Sequence, residues 1–469
     1  MNNNFRFRPE YQIPELWEQI ASCCTPATLR NLSLVHRRMV DSSQRYLFEV
    51  LAFRVRQKDI FSNTGELFAN FEEPYNSLIS RTAERFETLS TSHFSQYVRR
   101  WLCEGAIGFL DYHSNPSRHI GLHHTHAIQA FITSLPRYRL LNSLCLSRME
   151  VTSCVLGSLP ALPNLKTLQF HLVLFKCQLA LSNPLPLEEF LVEIWQQDDY
   201  DEPDGIDTAH GSFFSPEQLK TLTMKYTPNG KSTLFFCNTL INYKPSSNLI
   251  ELRFTIYNSE EGIELLVKLL KASPLLRTLQ IILDSETDDG LVQLEEAMMA
   301  LDLELNTCPF IDDLACPATF APVFALGRPI QKFCMEVGDY YTSCPLPDVM
   351  RSLLAFRKEI LTDLNFEQTR TDNARELIPF LNGLFPNLQV LRMPMNDLAD
   401  DTDTDDEQFD GIEPVDDRQI NDPDDMDRER RQFESCYDDN DIKMQPEALL
   451  HFGEGYLVMD HFTVSFAAH

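Results

Sequence analysis

The sequence predicts an α/β fold built from a repeated strand-and-return unit. A pattern of apolar-x-x-apolar-x-apolar recurs along most of the 469 residues, and helical apolar spacing precedes several of its copies. The alternation at the end of each copy fits one strand with two inward-facing side chains. The apolar content of 43% supports a globular body with a large core.

The copies of this pattern are spaced mostly 19 to 35 residues apart, as one strand plus one return segment requires. The clearest copies begin at Leu141, Leu165, Leu219, Leu249, Leu276, Leu361 and Leu388. Weaker copies begin at Val98, Leu187, Ile311, Ile330 and Met459.

Four return segments have helical spacing: Ala127–Leu135, Glu264–Ala272, Val349–Phe356 and Ala374–Leu384. Stacked helix–turn–strand units would form a curved parallel sheet with a continuous core. A doubly wound sheet is the alternative, but it needs Gly-rich ligand turns and the chain has only 16 Gly.

The N-terminal segment Ile13–Phe48 predicts two amphipathic helices separated by a Thr-Pro turn. Thr25 is a suitable N-cap and Pro26 a suitable first residue for the second helix, which would carry Arg37 and Arg38 near its end. The apolar residues at helical spacing are Leu16, Trp17, Ile20, Leu29, Leu32, Leu34 and Val35. Two short helices cannot bury all of these, which predicts a surface for a partner. The alternative is a helical cap on the core.

This segment resembles an F-box in residue order and spacing. The matching residues are Ile13, Pro14, Glu15, Leu16, Ile20, Pro26, Leu29, Leu32, Val35 and Arg38, and the departures are Cys24 and Met39. The resemblance implies that these helices bind the Skp adaptor protein and, through it, a cullin. The expected adaptor contacts are Pro14, Leu16, Trp17, Ile20, Leu29, Leu32 and Val35.

The repeated units resemble an irregular leucine-rich-repeat solenoid, of the type attached to F-boxes in large fungal families. Repeat lengths vary, and the usual Asn or Cys after the strand is mostly missing. Residues beside the inward pair would face outward on the concave face, which repeat proteins use for ligands. The candidate target-binding residues are Thr167, Gln169, His171, Thr221, Thr223, Lys225, Glu251, Arg253, Thr278, Gln280, Asp363, Asn365, Val390 and Arg392. The alternative for each is a merely solvated strand residue.

The expected domains are an F-box at residues 1–50, a solenoid at 51–396, an acidic insertion at 397–442 and a terminal repeat and cap at 443–469. The segment from Asp397 to Asp441 holds 20 acidic residues and four Arg. Such a segment cannot bury enough apolar surface to offset its ordering entropy, which predicts a disordered insertion.

Composition also argues against several protein classes. No apolar leader and no run of about 18 apolar residues occurs, which predicts neither secretion nor membrane insertion. Twelve scattered Cys without a C-x-x-C spacing suggest reduced thiols in the cytoplasm or nucleus. The net charge of −29 argues against a nucleic-acid partner.

The sequence predicts no catalytic site and no cofactor. It contains no phosphate-binding loop, nucleophile elbow, zinc-protease motif or dinucleotide fingerprint. A metal site at His119, His123, His124 and His126 would lack a carboxylate or thiol to complete it. The Asp401, Asp403 and Asp405 series imitates an EF-hand but has Asp406 and Ile412 where Gly and Glu belong.

A binding function is therefore expected. The two resemblances together imply the substrate-recognition subunit of a Skp–cullin–F-box ubiquitin ligase, with an unknown protein as target. The alternative is a non-catalytic solenoid scaffold or recognition protein with no ligase connection. A hydrolase would need a convergent cluster that the sequence does not suggest.

Overall fold

The computed structural model describes residues 14–35, 37–54, 72–105, 129–179, 181, 183–194, 213–226, 231–242, 248–257, 259–284, 288–301, 303–336, 346–366, 380–381, 383–394 and 461–465. The acidic insertion, the four-histidine cluster, the EF-hand-like series and most of residues 443–469 lie outside this part of the chain.

Helices and strands alternate through the described residues. The α-helices are α1 Pro14–Ser22, α2 Pro26–Val35, α3 Arg37–Leu47, α4 Glu72–Thr91, α5 Ser153–Ser158, α6 Lys231–Ile241, α7 Glu260–Ala272, α8 Asp288–Met299, α9 Ala321–Ala325 and α10 Leu346–Leu353. Residues 129–134 are also helical. The strands are β1 Val50–Arg54, β2 Arg100–Glu104, β3 Ser143–Ser147, β4 Glu150–Val151, β5 Thr167–Phe175, β6 Glu189–Ile194, β7 Thr221–Tyr226, β8 Glu251–Tyr257, β9 Thr278–Asp284, β10 Asp313–Cys316, β11 Lys332–Met335, β12 Asp363–Asn365, β13 Val390–Pro394 and β14 His461–Ser465.

Thirteen of these strands form one open row, in the order β1-β2-β3-β5-β6 and onward to β14, with β4 paired to β5 outside the row. All neighbours are parallel except β13 and β14. The predicted α/β fold with a parallel sheet is therefore confirmed. The strand order follows the chain without reversing, so the doubly wound alternative, which reverses at a switch point, is wrong for this row.

Strand register places one buried apolar residue of each parallel strand beside the next. This ladder consists of Leu51, Trp101, Leu144, Leu168, Phe190, Leu222, Leu252, Leu279, Leu314, Phe333, Leu364 and Leu391. From Trp101 onward each member is at most 3% exposed. From Trp101 onward, the residue two positions later along the chain is also buried and extends the same core.

Helices cover the face of the sheet to which this ladder points. Helices α6, α7, α8 and α9 contact β7, β8, β9 and β10 respectively. Helix α7 begins at an N-cap, Ser259, whose side chain accepts a 3.4 Å hydrogen bond from the Gly262 N–H. A Cβ on Gly262 would lie 2.6 Å from the Tyr226 ring, so glycine permits the close approach of this helix to the sheet.

The predicted strands agree with the structure, and two strands were missed. The copies beginning at Val98, Leu141 and Leu165 become β2, β3 and β5, and the others through Leu388 become β6 to β13. Strand β1 straddles the predicted domain boundary at residue 50. In the sequence, Phe48, Leu51 and Phe53 form a further copy of the pattern, and Leu51 pairs with Trp101 in the sheet. The short β4 has no copy of the pattern.

The terminal strand differs from the predicted repeat. The copy beginning at Met459 does supply β14, but this strand runs antiparallel to β13, whereas every other pair in the row is parallel. Because 66 residues separate β13 from β14, this connection is long enough for either strand direction, unlike the shorter connections between the other units. Among the described helices, none has the length and hydropathy to cross a membrane.

A buried arginine joins the turns that precede β10 and β11. Arg328 is 2% exposed, and its guanidinium donates to the carbonyls of Thr307 at 2.8 Å and Phe324 at 2.9 Å. It also reaches the carbonyl of Glu304 at 3.4 Å. These bonds satisfy carbonyls that the helix end and the turn leave without partners.

We expect Arg328→Met to lower the free energy of unfolding by about 3 kcal/mol, because several half-buried carbonyls lose their donors. Arg277→Met is the control, since that side chain is 64% exposed and should cost at most about 0.5 kcal/mol. Urea unfolding followed by circular dichroism measures both. Equal midpoints for the two variants would contradict the role given to Arg328.

Candidate functional site

The open face of the sheet, opposite the helices, carries the polar strand residues. The fourteen predicted target-binding residues lie on this face in three rows that run across the strands. The first row holds Thr167, Thr221, Glu251, Thr278, Asp363 and Val390, the second holds Gln169, Thr223, Arg253, Gln280, Asn365 and Arg392, and the third holds His171 and Lys225. All are partly exposed except Arg253, which is exposed. The structure therefore brings them together on one surface.

Ion pairs between neighbouring positions neutralise much of the charge on this face. Arg392 donates to both carboxylate oxygens of Asp363, at 2.8 and 3.3 Å. Lys225 lies 2.7 Å from an Asp284 oxygen and 5.4 Å from the centre of the Tyr257 ring. Because most charges are matched locally, the face has no strong field of one sign, and such partly exposed pairs add little to stability.

The structure adds residues to this face that the sequence analysis did not select. They come from the weaker copies of the pattern and from strand ends: Glu189, Glu193, Asp284, Asp313, Lys332 and Glu336. The strand alternation in the sequence could have identified them, because each lies directly beside a buried apolar residue of a strand. Glu336 is only 6% exposed and accepts a 2.8 Å hydrogen bond from the Gln280 amide. Burial raises the pKa of its carboxyl.

An irregular patch lies on the open face where β2, β3 and β6 end, beside the middle of β5. His171 Nδ1 bonds Glu193, and Arg148 lies 3.9 Å from Glu104. Two residues beside this patch adopt left-handed backbone conformations, Arg148 at φ 49° and Leu172 at φ 51°. The strand register shifts at the same point, between Phe170 and Val173. A bulge of this kind redirects side chains and, with non-glycine left-handed residues, stores local strain.

Glycine is required next to this patch. A Cβ on Gly105 would lie 2.4 Å from the Arg148 carbonyl oxygen, closer than real Cβ contacts allow. The Gly105 N–H donates to the Ser147 carbonyl at 2.8 Å, and the Arg148 N–H donates to the His171 carbonyl at 2.9 Å. The backbone of three consecutive units is thus fixed tightly beneath the charged side chains.

The described residues include thiols that range from exposed, as at Cys154, to fully buried. No group of three or more His, Cys, Asp or Glu side chains among them is arranged to hold a metal ion. The ten cysteines in this part of the chain are free thiols. Burial raises the pKa of the Cys103 and Cys308 thiols to about 12, so both are uncharged at neutral pH and poor nucleophiles.

The N-terminal segment forms three helices, and the prediction of two is wrong. Helix α2 ends at Val35 and α3 begins at Arg37, so Arg37 and Arg38 open a third helix instead of closing the second. Helix α3 packs against both α1 and α2, and Arg45 forms a 3.0 Å ion pair with Glu18. A single continuous helix could not fold back to make these contacts. The predicted N-cap is confirmed, since Thr25 Oγ1 accepts a 3.3 Å bond from the Thr28 N–H.

Burial divides the predicted adaptor contacts. Leu29 is 4% exposed, so it faces the interior of the helical cluster and does not present a contact surface in the free chain. Trp17 and Leu32 are partly exposed, and Ile20 is 38% exposed. For Pro14, Leu16 and Val35 the structure gives the helical position only. Leu34, which was not among the predicted contacts, is 85% exposed.

Comparison of the chain with protein-family models and with curated proteins found no match.

Bonding to Glu193, opposed in part by burial, raises the pKa of His171. The resulting stabilisation is fully present below the unfolded pKa of about 6.5 and is lost as the pH rises through the higher folded value. We expect Glu193→Gln to lower the His171 pKa and to destabilise the protein more at pH 5.5 than at pH 8. NMR titration of the ring, assigned with His171→Gln, measures the shift. An unchanged pKa in Glu193→Gln would contradict the assignment.

Proposed function

We propose that this chain is the substrate-recognition subunit of a Skp–cullin–F-box ubiquitin ligase. Helices α1 to α3 would bind the Skp adaptor, and the open strand face would bind a target protein. The observation that carries the proposal is the exposed apolar surface of an F-box-like helical segment, above all Leu34 at 85% exposure. Together with Ile20, 38% exposed on α1, it gives these helices apolar surface that a partner could cover.

The burial pattern within the helices refines the adaptor contacts. Leu29 packs inside the cluster and holds the helices together, whereas Ile20 and Leu34 are accessible to a partner. Full burial of an exposed leucine side chain contributes about 1.5–3 kcal/mol. A few such side chains, less the cost of association, suffice for a stable complex.

The sheet supports the second half of the proposal. Parallel strands in chain order, with two buried residues per unit from β2 onward, are the arrangement expected of a leucine-rich-repeat solenoid. We propose that the body of the chain is an irregular member of that class. Its open face presents side chains from up to a dozen consecutive units, which suits recognition of an extended protein surface.

The mechanism requires no catalytic residue in this chain. A target held on the strand face would be kept near the conjugating enzyme that the cullin recruits. Linking two binding surfaces on one chain raises the effective concentration of target lysines there, commonly to the millimolar range. Transfer of ubiquitin would be carried out by the other subunits.

The first test is co-purification of the intact chain with a recombinant Skp adaptor. We expect the Ile20→Asp, Leu34→Asp double variant to lose capture by at least tenfold, because two charges replace exposed apolar contacts. Val292→Asp is the control, since that residue is 49% exposed on α8, outside the N-terminal helices. Circular dichroism establishes that each variant is folded.

Absence of capture by the intact, folded chain would refute the ligase assignment. It would favour the second candidate, a recognition or scaffold protein whose N-terminal helices only cap the sheet. The partial burial of Leu32 is the observation that favours that alternative.

A further inference from the structure

The carboxyl end of β6 is attached to its neighbouring strands at few points. Strand β6 pairs with β7 only as far as Val192, so Glu193 and Ile194 have no pairing partner on that side among the described residues. On the other side, the register with β5 holds up to Phe170 and Val192 and then shifts. One further pair, Val173 with Ile194, follows the shift. In the described part of the chain, a single strand pair therefore holds the last two residues of β6.

The register shift is a bulge in β5. Between the last regular pair and the final one, β5 has two residues, His171 and Leu172, opposite Glu193 alone. Leu172 has a left-handed backbone with a φ of 51°, a conformation that leucine rarely adopts. A bulge interrupts the ladder of backbone hydrogen bonds, so the two strands separate more easily here than in the regular part of the ladder.

A side-chain bond crosses this bulge. His171 Nδ1 bonds the Glu193 carboxylate, and both side chains are partly exposed on the open face. On its other side the bulge is fastened by the backbone, because the His171 carbonyl accepts a 2.9 Å bond from the Arg148 N–H. The Leu174 N–H then donates to the Met149 carbonyl at 3.1 Å. The weak junction is therefore the one between β5 and β6, and the side-chain bond lies there.

The end of β6 also contributes to the hydrophobic core. Ile194 is 8% exposed and packs with the core residues of the sheet. Release of this end would expose Ile194 to water, which costs free energy. The open form is therefore a minor state, and a change in one bond across the bulge alters how often it occurs.

The groups that face His171 determine the pH range in which this bond is strongest. The bond to Glu193 is the largest effect and raises the pKa of His171, and Glu104 at the end of β2 adds to it. Burial and Arg148, which follows β3, oppose protonation but do not reverse the shift. The charge-assisted bond is therefore fully formed below a pH of about 6.5 and weakens as the pH rises through the folded-state pKa.

We propose that the bond between His171 and Glu193 is a pH-dependent clamp on the carboxyl end of β6. At acidic pH the protonated ring holds residues 193–194 against the bulge of β5. At alkaline pH the neutral ring holds them less tightly, and this end opens locally while the rest of the sheet stays paired. Opening changes the spacing of side chains on the strand face. The clamp is a property of the sheet itself, so the proposal does not depend on the ligase assignment.

The test is amide hydrogen exchange of the full chain at pH 6.0 and pH 8.5, read by mass spectrometry and corrected for the intrinsic exchange rate at each pH. We expect the opening of residues 192–194 to be at least threefold more frequent at pH 8.5, because the clamp is weaker there. Strands β8 and β9 are the internal reference, since they pair over seven residues without a register shift. Their opening should change by less than half as much.

Two variants locate the pH response. Glu193→Gln and His171→Gln should each remove it, so that the end of β6 opens equally often at the two pH values. His93→Gln is the matched control, because His93 is an exposed histidine in the turn before β2, and this variant should respond as the unmodified chain does. Circular dichroism melting checks that all variants fold.

Equal opening of this end at both pH values in the unmodified chain would overturn the proposal. A pH response that persists in the folded Glu193→Gln variant would also overturn it, because another group would then be responsible. A response of the same size in β8 and β9 would assign the effect to general unfolding instead of a local clamp. Adaptor capture is measured separately, so failure here leaves the ligase assignment intact and failure there leaves this proposal intact.

Discussion

The register of the buried strand residues is the constraint on which the rest of the structure depends. Leu168, Leu222 and Leu279 stand at the same height in their strands, so each unit buries its apolar side chains against its neighbours. Side chains alternate between the two faces, and a shift of one residue would turn this set outward. The same register therefore fixes the polar face, and it also fixes the edge at which the turns meet.

The strands of the parallel sheet were predictable because the apolar pattern that marks each one is short and recurs along the chain. Even the weak copy beginning at Ile330 becomes β11, since two alternate apolar residues suffice to define an inward face. Strand β1 was missed because its pattern runs across the end of the F-box-like segment. The two-residue β4 has no pattern to detect, because it forms only by pairing with the extended end of β5.

The candidate surfaces were less predictable, because exposure depends on tertiary contacts. The alternation placed Arg253 and Gln280 on the open face, but it gave no sign that Glu336 would be buried beside Gln280. The N-terminal helices show the same dependence on tertiary contacts. Helix α2 packs against α3, which was not predicted, and in this cluster Leu29 is buried while Leu34 is exposed. The left-handed conformation of Leu172 has no sequence signal, since leucine rarely adopts it.

The turns before β9 and β10 keep their geometry without an attachment that three other units have. Asn164, Asn248 and Asn387 each donate a hydrogen bond to a carbonyl of the preceding turn, and such a bond contributes about 1 kcal/mol. The same position, just before the first apolar residue of the repeated pattern, holds Leu275 before β9 and Phe310 before β10. The turn before β10 is instead held by the Cys308 thiol and the Arg328 guanidinium, both buried beneath the surface. Because these bonds are made by buried groups, the outer position needs no polar side chain to hold the turn. It is therefore open to Leu275 and Phe310, whose exposed fractions are 46% and 53%.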